Sequence, residues 1–100
     1  MDVIPHSRPT LGEAEAATVQ QVVLSGQITQ GRLVEQLEKD FSNAFSLGHA
    51  AAVSSGTAGL HLALLALGIG PGDQVIIPSY VCTAVLNAVY QAGAEPVLAD

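Results

Sequence analysis

One hundred residues are enough for one small domain, yet 49% of them are apolar and only 12% are charged, roughly half the charged share usual in soluble domains. The formal charge of −6, with Arg8, Arg32 and Lys39 as the only cations, argues against a nucleic-acid surface or attachment to an anionic membrane, and leaves room for a small anion held by backbone amides. A single cysteine, Cys82, makes neither an internal disulfide nor a metal cluster; with no signal-like start and no apolar run near about 20 residues, the expectation is a cytoplasmic protein.

From the N-terminus, Ile4 to Pro9 reads as an extended arm, because each proline restricts itself and the residue before it. Thr10 and Glu13 are spaced as a capping box, which predicts a helix start. Ala16, Val19, Val22 and Val23 then form an apolar stripe, and Ser25-Gly26 ends it. Gln27 to Gly31 reads as a loop. A second amphipathic helix is predicted from Arg32 to Phe45, with Leu33, Val34, Leu37, Phe41 and Phe45 turned inward. Lys39, between Glu38 and Asp40, falls on its solvent side, where an ammonium stays charged and unreactive.

From Ala50 the pattern becomes strand, helix, strand, helix, strand. A short run of small and β-branched residues, Ala50 to Val53, predicts the first strand. The helix from Thr57 to Leu67 is apolar on nearly all sides, as a buried helix is. Gly68 to Asp73 is glycine-rich but follows a helix where a dinucleotide fingerprint must follow a strand, so it reads as a helix stop and turn. Gln74 to Ile77 and Pro96 to Ala99 are predicted strands, with a helix from Val81 to Tyr90 between them. Residues 1–48 thus hold an arm and two helices, and residues 49–100 a β-α-β-α-β segment. The fold class is α/β with a mostly parallel sheet. Three parallel strands leave two open edges, so the expectation is the front part of a larger α/β domain.

The strand-to-helix junction at Ser54-Ser55-Gly56-Thr57-Ala58 carries the most chemistry. The first amides of a helix have no partner inside it, and the helix dipole places partial positive charge there, which suits a phosphate. Gly56 admits a close approach and Thr57 adds a hydroxyl. Equally, the serines and the threonine serve as caps for a packed helix. His61, one turn further on, reads as a packed, hydrogen-bonded residue.

The ordered set Ile4-Pro-His-Ser-Arg-Pro9, Ser25-Gly-Gln-Ile-Thr-Gln-Gly31, Val53-Ser-Ser-Gly-Thr-Ala-Gly-Leu-His-Leu-Ala-Leu64, Leu67-Gly-Ile-Gly-Pro-Gly-Asp73, Val75-Ile-Ile-Pro-Ser79 and Gly93-Ala-Glu-Pro-Val97 resembles the N-terminal region of the DegT/DnrJ/EryC1/StrS sugar aminotransferase family. The resemblance implies a pyridoxal-phosphate enzyme of the aspartate-aminotransferase fold, usually a homodimer. This chain would then be the N-terminal portion of its three-layer α/β/α large domain, with the rest of that domain and the small C-terminal domain absent. Most such enzymes move an amino group from glutamate to a nucleotide-linked keto-sugar in making polysaccharides, antibiotics or modified sugars.

The resemblance further implies that Gly56, Thr57 and Ala58 cradle the cofactor phosphate, and that Thr29, Gln30 and Gly31 lie near the active-site entrance. Cys82 falls where many members stack an aromatic residue on the cofactor ring, with Tyr80 as the alternative. The Schiff-base lysine and the acid facing the pyridine nitrogen are expected downstream of Asp100, so these residues alone should be inactive and hold no catalytic residue. Two other readings stand at this point: a dehydratase of the same family with histidine in place of that lysine, and a non-catalytic fragment that binds phosphate or a partner protein.

Overall fold

Gly12, and not Thr10, starts the first helix. In the computed structural model, which describes residues 4–100, α1 spans Glu13–Ser25 with extended Gly12 as its N-cap. The Glu15 carboxylate accepts a hydrogen bond from the Gly12 amide at 2.8 Å. Glycine is acceptable at an N-cap, and a glutamate at the third helical position can supply the reach-back bond without a capping hydroxyl. That bond, and a weaker one from Glu15's own backbone amide, favour the charged carboxylate, so Glu15 is held below its ordinary value of 4.5. The helix ends where expected, at Gly26 with φ +71°.

The chain forms two units, divided between Ala50 and Ala51. In the first, α1 is followed by α2, Arg32–Ala44, with Gly31 as N-cap. Neither helix contains a buried residue. Of the stripe expected to face inward, Val34 is half-buried and Leu33, Leu37, Phe41 and Phe45 are exposed, and Phe41 and Phe45 touch each other with ring centroids 4.6 Å apart. Lys39 is exposed, as expected.

The second unit holds α3 (Gly56–Ala66), β1 (Gln74–Pro78), α4 (Thr83–Gln91) and β2 (Glu95–Ala99). Both α3 and α4 end in the same way. A left-handed glycine follows each last turn, Gly68 at φ +75° and Gly93 at φ +81°. Around it, paired bonds return to the helix carbonyls: Gly68 and Ile69 to Leu65 and Leu64, Gly93 and Ala94 to Tyr90 and Val89. The Gly68 to Asp73 stretch is indeed a helix stop and turn, closed by the Asp73 carboxylate accepting from the Gly70 amide at 2.8 Å.

The sheet is parallel but has two strands among the described residues, in register Gln74↔Glu95 through Pro78↔Ala99. The expected strand at Ala50 to Val53 belongs to neither. Its residues are three alanines with one valine at the end, a weak β-former whose strand character depends on a neighbouring ladder, and β1 and β2 pair only with each other. The core lies under α4, where Ile77, Val89 and Ala94 are buried and Leu64, Ile69, Val75, Val85 and Leu86 pack against them. Through Leu64, α3 reaches this core, but its expected burial does not hold: Leu60, Leu62 and Leu65 are each close to half exposed. An all-round apolar helix needs neighbours on every side, and α4 occupies only one of them. Among the described residues no helix is long and apolar enough to cross a membrane.

Candidate functional site

The topology points two helix N-termini at one end of the sheet. Because β1 and β2 are parallel, α4 must leave the C-terminal end of β1 and return to the N-terminal end of β2. At that return, Gly93 stands against Pro71, and Gly70 against the carbonyl of Ala92, so the C-terminal ends of α3 and α4 meet beside the start of the strands. With α3 packed along α4, their N-termini both face the carboxyl end of the sheet. Open α/β sheets bind ligands there.

Electrostatics single out the same two helix starts. The first turn of α1 carries Glu13 and Glu15, and that of α2 carries Glu35, whereas α3 and α4 begin with no acidic residue. The partial positive charge of each of these two N-termini, roughly half an elementary charge, is left without an anionic partner from its own sequence.

At the start of α3, Ser55 is the N-cap in extended conformation, and its Oγ accepts from the Ala58 amide at 3.2 Å. Gly59 donates to the Ser55 carbonyl. The Ala58 amide is therefore engaged, and the Gly56 and Thr57 amides are the ones with no partner inside the helix. Gly56 itself has no backbone reason to be glycine, since its φ lies outside the left-handed region, and a Cβ there would meet nothing within 4 Å. An absent side chain that neither packing nor backbone requires fits a close approach from outside. By contrast, a Cβ on Gly59 would meet Val53 Cγ2 at 3.5 Å, which is ordinary packing. Thr57 is half-buried beside these amides.

At the start of α4, Cys82 is the N-cap, exposed, and its thiol caps nothing. Tyr80, two residues earlier, is fully exposed. The structure thus brings Gly56, Thr57, Ala58 and Cys82 to one end of one unit. Thr29, Gln30 and Gly31 belong to the other unit. There Thr29 and Gly31 line a cavity of about 270 Å³ between α1 and α2, with Thr18, Gln21 and Arg32, and Gln30 borders an adjoining opening. His61 is half-buried in α3.

One pair escaped the sequence reading. Ser79, just past β1, donates its backbone N–H to Ala99 at 2.9 Å and its hydroxyl to the carboxylate of Asp100. The two residues are 21 apart in sequence, and only the strand register places them side by side.

A sequence profile of the DegT/DnrJ/EryC1/StrS aminotransferase family matches residues 9–100. The chain belongs to this family. Its structure is similar to the N-terminal part of solved aminotransferases. A Streptococcus pneumoniae protein described as a sugar aminotransferase, in its PLP form, is 38% identical with a TM-score of 0.90, over 97% of this chain and 25% of that one. The aminotransferase from Psychrobacter cryohalolentis is 36% identical, TM-score 0.85, over 96% and 25%. The aminotransferase TlmJ from Streptoalloteichus hindustanus is 40% identical, TM-score 0.83, over 98% and 27%. This family member therefore spans about a quarter of the length of the structures it matches.

Proposed function

We propose that these residues are the front portion of a pyridoxal-phosphate-dependent aminotransferase that carries an amino group from glutamate to a nucleotide-linked keto-sugar. The observation that carries this reading is the start of α3 in a chain of this family: two unpartnered amides, a half-buried threonine, and a glycine whose Cβ space is empty. Membership in an aminotransferase family and a PLP-form neighbour at 38% identity support the cofactor. When bound, that cofactor supplies an electron sink for bonds broken at an amine-bearing carbon.

In this reading the chain's own residues bind and orient. The Gly56 and Thr57 amides and the Thr57 hydroxyl donate to phosphate oxygens, aided by the α3 dipole. Neutral donors suit this place, because Arg8, Arg32 and Lys39 all lie outside the second unit. Cys82, at the neighbouring helix start, rests against the ring face, where a polarizable sulfur takes the place of an aromatic side chain at smaller contact area. Thr29, Gln30 and Gly31 border the substrate. The lysine that joins the cofactor comes from outside these 100 residues, Lys39 being exposed on α2; a homodimer in the cytoplasm completes the proposal.

The test is cofactor titration of the full-length protein. Thr57→Val should weaken retention roughly tenfold or more, the loss of one hydrogen bond to a charged oxygen being worth about 1.5–3 kcal/mol. Gly56→Val should weaken it further by filling the approach, with the fold intact because nothing in the chain stands in the way. Unchanged cofactor affinity in both variants would remove the α3 start from the phosphate site.

A further inference from the structure

The loop that carries Cys82 to its place is short. It begins at Ser79, directly after β1 ends at Pro78, and it finishes at Cys82, the N-cap of α4. A loop of this kind needs something to fix it, since Tyr80 is fully exposed and Val81 and Cys82 are exposed as well. Among the described residues its far end is tied to α4, the Cys82 carbonyl accepting from the Val85 amide at 3.2 Å, and its near end is anchored at Ser79. There the amide extends the ladder to Ala99, and the hydroxyl donates to Asp100 Oδ1. Both partners stand at the carboxyl end of their strands, the end to which the α3 and α4 starts are turned.

We propose that Ser79 and Asp100 are a positioning pair for the cofactor ring. Asp100 holds the Ser79 hydroxyl, the held Ser79 sets the course of the loop, and the loop sets where Cys82 stands relative to the amides of Gly56 and Thr57. The acceptor oxygen of Asp100 does the holding; its charge is not required, and a carboxylate at this end works against an anionic ligand if it turns away from Ser79. Such supporting contacts decide whether a binding group stands in its productive place or about 1 Å from it.

This inference rests on the proposed cofactor reading, and the experiment separates the two. In the full-length protein, cofactor affinity, the absorbance and visible dichroism of the bound cofactor, and thermal stability are measured for Asp100→Ala, Asp100→Asn, Ser79→Ala, Thr57→Val and Gly56→Val. Amide hydrogen exchange at Tyr80 to Thr83 is followed without cofactor. Asp100→Ala and Ser79→Ala should each shift the spectrum, weaken affinity roughly tenfold and speed exchange in the loop, and the double variant should be no worse than either single one. Asp100→Asn keeps an acceptor oxygen and should restore the wild-type spectrum and exchange. If Asp100→Asn behaves like Asp100→Ala, or if the single variants leave the spectrum and the loop exchange unchanged while Thr57→Val still weakens affinity, the positioning role is overturned and the phosphate site stands. If Thr57→Val and Gly56→Val both leave affinity unchanged, the α3 start is removed from the phosphate site and takes this inference with it.

Discussion

Gly93 presses against Pro71: a Cβ built on Gly93 would lie 3.2 Å from Pro71 Cγ and 3.3 Å from its Cδ. The contact ties the end of α4 to the turn that enters β1, and so holds closed the end of the second unit opposite the candidate site. Gly93 is also left-handed, φ +81°. Gly93→Ala should therefore cost the backbone strain of about 1–2 kcal/mol and an added steric cost, because a proline ring cannot swing aside. Gly72→Ala provides the comparison. Its φ is +96° but nothing lies within 4 Å, so it should lose the backbone share alone. Denaturant unfolding of the two variants of the full-length protein checks the difference, and equal losses would remove the Pro71 contact from the account.

Ser46 is the reverse case. It follows α2 in the left-handed region, φ 53°, where α3 and α4 place glycine. Its amide donates to Asn43, and the next amide, of Leu47, donates to Ser42. Ser46→Gly relieves the strain and keeps both bonds, so it should raise stability by roughly 0.5–1 kcal/mol, offset in part by the greater freedom of glycine in the unfolded chain. A fall in the unfolding midpoint would contradict this.

Ser55 does two things that substitution can separate. Ser55→Ala removes the cap on the Ala58 amide and should cost about 1 kcal/mol of stability. Ser55→Asp keeps a capping oxygen, yet its carboxylate repels an incoming phosphate. It should unfold like the wild type while cofactor affinity drops. Loss of stability in Ser55→Asp together with unchanged affinity would count against the phosphate site.

At Cys82 the prediction is spectral and chemical. Cys82→Ser in the full-length protein should shift the absorbance of the bound cofactor, and Tyr80→Phe should leave it alone. Alkylation of the exposed thiol should slow several-fold when cofactor is added. If Tyr80→Ala alters the spectrum and Cys82→Ser does not, Tyr80 is the residue on the ring.

The α1 start should depend on pH. Glu15 has a folded value below its ordinary 4.5, so the bond to Gly12 contributes fully above that ordinary value and is lost as pH falls through the lowered one. Protection of the Gly12 to Ala16 amides, taken relative to their intrinsic exchange rates at each pH, should therefore fall in acid, and in Glu15→Gln that acid dependence should shrink. An identical acid profile in Glu15→Gln would mean that another group controls the fraying.

Sequence alone determined what depends on a few neighbouring residues. The helix stops at Gly26, Gly68 and Gly93, the turn at Gly70 to Asp73, the β1 and β2 segments and the Ser55 to Ala58 start of α3 were all readable, because caps and turns are settled by bonds spanning three or four positions. Even here a local tie went the other way, Gly12 with Glu15 displacing Thr10 with Glu13, since two carboxylates stand two residues apart and either can reach back. What only the tertiary structure decided involves a distant partner. Ala50 to Val53 looks like a strand but lies in no ladder, the leucines of α3 are apolar but half exposed, and Ser79 finds Asp100 across 21 residues. Strand membership, burial and that hydrogen bond each belong to a pair of segments, and the pattern within one segment does not name the other.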